Sequence, residues 1–129
     1  MKVPVISIVD DDDSARRAMT NLIRSLGYVA AAFPSAEAFL GSDRLDETDC
    51  LITDLQMPGL SGVELQDALR ARGKRTPMIF VTAFGEERVR RQALDAGAIA
   101  FLTKPFEEAR LIAHLQSALH GRNGKTAEA

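Results

Sequence analysis

The sequence predicts an α/β fold: a doubly wound, five-stranded parallel sheet with helices on both faces. Three observations carry that prediction. Five short apolar runs, each too short for a core helix, alternate with segments of helical periodicity. The runs are apolar throughout rather than alternating with polar residues, as in strands buried on both faces of a parallel sheet. Glycine stands where the helical segments stop, at Gly27, Gly73 and Gly97. With right-handed crossovers, such a sheet places any ligand site outside the carboxyl ends of its strands.

Taken in order, "VPVISIV" at 3–9 is β-branched and reads as the first strand, with Pro4 tolerable near its start. Ala15, Ala18, Met19, Leu22, Ile23 and Leu26 then recur at helical spacing, capped at Asp13 or Ser14. "YVAAAF" is a weaker strand, and Ser35 caps a short helix to about Leu40. "CLITDL" is the third strand, followed by a loop with Pro58, Gly59 and Gly62. The next helix sets Leu65, Ala68 and Leu69 on one face. "PMIFVTA", the helix "EERVRRQALDAG" and "AIAFLT" follow. A last helix after Pro105 buries Leu111, Ile112, Leu115, Ala118 and Leu119. Residues 1–120 form one domain, and the polar "GRNGKTAEA" at 121–129 reads as a tail or the start of a linker.

Composition narrows the function. A net charge of −2 gives no electrostatic footprint for nucleic acid, so direct nucleic-acid binding is not expected. One cysteine, Cys50, makes no internal disulfide, and it reads as a small, inert core residue. No uninterrupted apolar stretch is long enough to span a bilayer, and no signal-length apolar region opens the chain; the expectation is a cytoplasmic protein with no membrane partner.

Chemistry collects at the strand ends. The first strand delivers Asp10 and Asp11, the third Asp54, the fourth Thr82 and the fifth Lys104. Each has a plain reading alone: helix-terminal charge, turn residue, surface lysine. Asp12 and Asp13 keep that reading, since acidic residues suit a helix N-terminus. On one rim, however, three carboxylates repel unless a cation or protons intervene, and a hard divalent ion such as Mg²⁺ prefers oxygen ligands. With a hydroxyl and an ammonium beside them, the set suits a phosphoryl group, and a carboxylate can be its nucleophile.

"VDDDD", "TDLQMPGLSG", "VTAFG" and "AGAIAFLTKPF", in that order and each following a predicted strand, resemble the receiver domain of two-component response regulators. The likeness spans roughly residues 4–120, and "SAEAFL", "TDLQMPGLSGVEL" and "KPFEE" are most similar to FixJ-type receivers. The resemblance implies a flavodoxin/CheY-like sheet of strand order 2-1-3-4-5 and a phosphoacceptor at Asp54. It implies Mg²⁺ (Mn²⁺ as a substitute) held by Asp10, Asp11, Asp54 and the backbone carbonyl of Gln56. Thr82, the Ala83 amide and Lys104 would meet phosphoryl oxygens, and Phe101 would be the aromatic coupled to Thr82. Lys104–Pro105 matches a peptide that is usually cis. The side chains of Gln56 and Phe84 lie at positions that tune phosphoryl lifetime, Phe84 by shielding the acyl phosphate from water. Implied partners are a cognate sensor histidine kinase or phosphotransfer protein and a phosphorylation-dependent homodimer through the fourth helix and fifth strand and helix, with Arg88, Arg91 and Asp95 available to pair. The chain would be a regulatory phosphoacceptor rather than an enzyme, either a stand-alone receiver or the receiver part of a FixJ-like transcription regulator.

Two other readings use the same residues. D-x-D-x-S at Asp10, Asp12 and Ser14 resembles the nucleophile motif of haloacid-dehalogenase-type phosphohydrolases, with Asp10 attacking and Asp12 as acid and base. A flavodoxin-like nucleotide binder would need glycine or hydroxyl residues in the first loop, where four aspartates would repel phosphate. His114 and His120 have no acidic or cysteine partners at metal spacing and read as helix-surface residues.

Overall fold

In the computed structural model, the backbone is described for residues 3–128 and side chains for residues 3–120. The elements are β1 (Val5–Val9), α1 (Asp13–Ser25), β2 (Val29–Phe33), α2 (Ala36–Leu40), β3 (Cys50–Thr53), α3 (Gly62–Ala71), β4 (Met78–Thr82), α4 (Glu87–Asp95), β5 (Ala100–Thr103) and α5 (Glu108–Glu128). All strand pairs are parallel, in the order β2-β1-β3-β4-β5. This is the predicted doubly wound sheet. β3 and β4 are buried at every residue, whereas the edge strand β2 has none fully buried.

Alternation along the buried strands divides the core in two. Ile6, Ile8, Cys50, Ile52, Ile79, Val81, Ala100 and Leu102 face one side and pack with Ile23 of α1 and Leu111, Leu115, Ala118 and Leu119 of α5. Val9, Leu51, Met78 and Phe80 face the other, against Phe39 of α2, Leu65 and Leu69 of α3 and Ala93 of α4. The single cysteine thus lies in the core, and Ile112 is only half-buried.

Local chemistry sets the element ends. Asp12, with extended φ −84° and ψ 116°, caps α1 by accepting the N–H groups of Ser14 and Ala15. The cap is therefore one residue earlier than the predicted Asp13 or Ser14; Asp13 is already helical. Ser35 caps α2 as predicted, and Ser61 with Glu64 forms a reciprocal capping box on α3. Gly27, Gly73 and Gly97 follow α1, α3 and α4 with φ of 90°, 74° and 107°, a region that side-chain-bearing residues avoid. α5 keeps a helical backbone to Glu128, past Gly121. Residue 129 and the side chains from 121 onward, where the polar tail is expected, lie outside the described residues. Among the described residues no helix is long and apolar enough to cross a membrane.

Candidate functional site

The sheet order reverses between β1 and β3, and that crevice is where a doubly wound sheet offers a site. Register does the positioning. Val9 of β1 pairs with Thr53 of β3, so the next residues, Asp10 and Asp54, leave the sheet side by side. The Asp54 N–H donates to the Val9 carbonyl at 3.0 Å, which holds the two exits together. On the other flank Thr82 pairs with Thr103, and the Lys104 N–H donates to the Thr82 carbonyl at 2.8 Å. The Lys104–Pro105 peptide is cis.

Carboxylate oxygens of Asp10, Asp11 and Asp54 lie within 4.8 Å of one another. Asp10 is buried, Asp54 half-buried and Asp11 exposed, so the cluster opens outward from a walled floor. Burial pushes the Asp10 carboxyl above the ordinary aspartate range. Its Oδ1 accepts the Asp12 N–H at 2.9 Å and its Oδ2 lies 3.6 Å from Lys104 Nζ; both oppose the rise. The negative charges of Asp54 and Asp11 add to it. A divalent cation among these oxygens would relieve both burial and repulsion, and an all-oxygen donor set suits a hard ion of the Mg²⁺ kind. The residues present therefore fit such a metal.

Asp54 is held asymmetrically. Its Oδ1 accepts the Leu55 N–H at 2.6 Å and, at the long distance of 3.4 Å, the Gln56 N–H. Its Oδ2 accepts no hydrogen bond from the described residues, so one oxygen is anchored and the other is available. Gly62 lets α3 approach the Asp54 backbone: a Cβ there would sit 2.5 Å from the Asp54 carbonyl oxygen and 2.9 Å from the Phe80 ring. Thr82 is 1% exposed, and its hydroxyl accepts the Phe84 N–H at 3.3 Å, leaving its proton to donate elsewhere. Ala83 and Phe84 are exposed on the loop after β4, and Gln56 is exposed on the loop after β3. Phe101 is half-buried on the α4 side, its ring centroid 6.1 Å from that of Phe80.

The structure thus gathers Asp10, Asp11, Asp54 and Lys104, with Thr82 on the neighbouring strand. It also adds residues that sequence reasoning passed over. Arg16 donates to the Asp10 carbonyl at 2.7 Å and pairs with Asp13, tying α1 to the acidic loop. Glu37 of α2 accepts the Leu60 N–H at 3.1 Å and braces the loop that follows Asp54. Nothing in a single sequence points across that distance. The S-x-x-E pattern at Ser61 and Glu64, in contrast, is a legible capping signal.

Asp12, the acid and base of the hydrolase reading, is instead the cap of α1: its Oδ1 accepts two backbone N–H groups, which hold the carboxyl below the usual aspartate range. On α4, Arg91 pairs with Glu87 one turn away at 3.8 Å, while Arg88 and Asp95 are exposed.

Comparison with known proteins agrees with this geometry. The pattern of the "Response regulator receiver domain" matches residues 6–116. The chain is 37% identical over 118 residues to the response regulator protein TodT of Pseudomonas putida, covering 92% of this chain and 52% of that protein. It is 37% identical over 123 residues to the transcriptional regulatory protein FixJ of Azorhizobium caulinodans, covering 95% of this chain and 56% of that protein. The chain therefore spans about half the length of these relatives. A solved structure of the response regulator StyR superposes with a TM-score of 0.87 at 39% identity, over 98% of this chain and 65% of that one. With the fold, the acidic crevice and the matched residues in agreement, the chain belongs to the response regulator receiver domain family.

Proposed function

We propose that this chain is a phosphorylation-dependent switch that accepts a phosphoryl group on Asp54 from the phosphohistidine of a sensor histidine kinase or phosphotransfer protein. The observation that carries this reading is the convergence of the three carboxylates within 4.8 Å, with Lys104 beside them, at the sheet's switch point. The free oxygen of Asp54 attacks phosphorus, the P–N bond breaks, and its electron pair leaves with the imidazole. Bound at Asp10, Asp11, Asp54 and the Gln56 carbonyl, Mg²⁺ or Mn²⁺ would supply charge neutralisation for the incoming phosphoryl oxygens. Lys104 pairs with one phosphoryl oxygen, and the Thr82 hydroxyl and Ala83 N–H donate to another. Water attack on phosphorus later returns the carboxylate and inorganic phosphate, so the chain assists its own phosphorylation and its reversal. Gln56 and Phe84, beside the acyl phosphate, set how long it lasts.

Thr82 drawn toward the phosphoryl group leaves space that Phe101 fills. This shifts the population at the face made by α4, β5 and α5, where a homodimer forms. In this reading residues 1–120 are the receiver unit, acting in the cytoplasm, and 121–129 begin a tail or linker. The test is intact mass after incubation with Mg²⁺ and acetyl phosphate, beside an Asp54→Asn variant, followed by size-exclusion with beryllofluoride. One added phosphoryl mass on the wild type alone, with a shift toward dimer, is expected. Label persisting in Asp54→Asn would move the acceptor to Asp10. No adduct and no beryllofluoride response would end the phosphoacceptor reading.

A further inference from the structure

At the opposite rim of the sheet, among the amino ends of β4 and β5 and the carboxyl ends of α3 and α4, lies a cavity of about 510 Å³. That volume is in the range of small-molecule sites, about 300–1,000 Å³. Its apolar wall includes Leu69 and Met78, both buried, and Ile99, which is 40% exposed at the edge. Arg70, Lys74 and Arg75 also line it, and no acidic side chain does.

Gln66 contributes a polar side chain to the cavity lining. The residue is 3% exposed, and its Nε2 donates to the Ala93 carbonyl of α4 at 3.0 Å. A carbonyl only accepts, so this bond fixes which end of the amide is nitrogen. Gln66 Oε1 is then buried with no hydrogen-bond partner, the one such side-chain atom among the described residues. A buried acceptor left unmade costs about 1–3 kcal/mol, so a donor arriving there is worth more than one arriving at an exposed oxygen.

Charge selects the rest of the ligand. Cations are ordinary at helix C-termini, where the dipole contributes about half a negative charge per helix. Lys74 is also paired with Asp46. The three cations exceed these counter-charges by about one unit, since the two helix ends together supply about one negative charge. Neither Arg70 nor Arg75 has a carboxylate partner among the described residues, and both are exposed. One negative charge on an apolar body, with one donor, matches this lining.

We propose that the cavity binds a small organic monoanion bearing an O–H or N–H donor, the anion meeting Arg70 and Arg75 and the donor meeting Gln66 Oε1. The proposal is independent of the phosphoacceptor reading. Backbone and side-chain amide NMR would follow titration of the unphosphorylated protein with three probes: 4-hydroxyphenylacetate, phenylacetate, which lacks the donor, and tyramine, which keeps ring and hydroxyl but inverts the charge. Shifts confined to Leu69, Met78, Gly97 and the Gln66 side-chain amide are expected. 4-Hydroxyphenylacetate should bind about fivefold tighter than phenylacetate, the ratio that one net hydrogen bond supplies, and tyramine should not bind. Gln66→Met should erase the preference between the two anions. Because that variant also loses the bond to Ala93, the exposed pair Arg70→Glu and Arg75→Glu gives a second reading and should weaken both anions on an unchanged fold. Equal affinity of the two anions for the wild type, tyramine shifting the same residues, shifts only at the aspartate crevice, or no shift up to the solubility of the probes would each overturn the proposal.

Discussion

Among the described residues Asp10 is the most burdened: a carboxylate 7% exposed, facing two others, with one ammonium near it. Burial raises its pKa in the folded state, so the unfolded chain releases that proton at a lower pH. The stability this group contributes is present below its unfolded pKa and is lost as pH rises through the folded value. At neutral pH and without divalent cations, Asp10→Asn should therefore melt at a higher temperature than the wild type. The advantage should shrink as the buffer is acidified through the raised pKa. A lower melting temperature for Asp10→Asn at neutral pH would mean that the Lys104 pair outweighs desolvation. Asp12, one cap away, has the opposite sign. Its carboxylate is stabilised by two N–H groups, a contribution present above the unfolded pKa and lost as pH falls through the lowered folded one. Residue identity and the strand end assigned Asp10 and Asp11 to the rim and Asp12 and Asp13 to the helix start, as the structure has them; they did not reveal which of each pair is buried or which caps the helix. Four identical side chains differ only in backbone angle and burial, and neither is written in the sequence.

Helices and strands were more legible than their ends. The apolar runs of β3 and β4 became strands buried on both faces, where continuous hydrophobicity is the sustainable pattern, while the small residues of β2 form the more exposed edge. The start of α1 moved by one residue because several adjacent residues could cap, and only Asp12 has the extended backbone that aims its side chain at Ser14 and Ala15. α5 ran past Gly121 because an interior glycine costs a helix about 1 kcal/mol relative to alanine, which weakens it without ending it. The capping box of α3 carries an expectation at this scale. Ser61→Ala should cost about 1 kcal/mol, read as a lower urea midpoint with an unchanged slope. Its effect should also reach Asp54, since α3 begins at Gly62, whose N–H donates to the Leu55 carbonyl at 2.8 Å. No loss of stability would show that the neighbouring loop, braced by Glu37, already holds the helix start in place.

Across the whole molecule, the two rims of one sheet differ in what sequence could disclose. The upper rim was readable because a topological rule sends chemistry to strand carboxyl ends, and the Val9–Thr53 register then brings Asp10 and Asp54 together. The lower cavity was not. Nothing in the sequence sets Arg70, Lys74, Arg75 and Gln66 apart from other helix and helix-end residues; two helix ends have to meet around them first. Lys104 shows what such assembly implies. Its carboxylate partner is Asp10, not Asp54. An ion that took Asp10 as a ligand would compete with the ammonium, so metal and lysine would be alternative tenants of one carboxylate. By reciprocity, evicting either should favour the other. Lys104→Met should then bind Mg²⁺ more tightly by calorimetry yet hold beryllofluoride less well. A weaker hold on both would mean that the lysine shapes the crevice rather than competing for it.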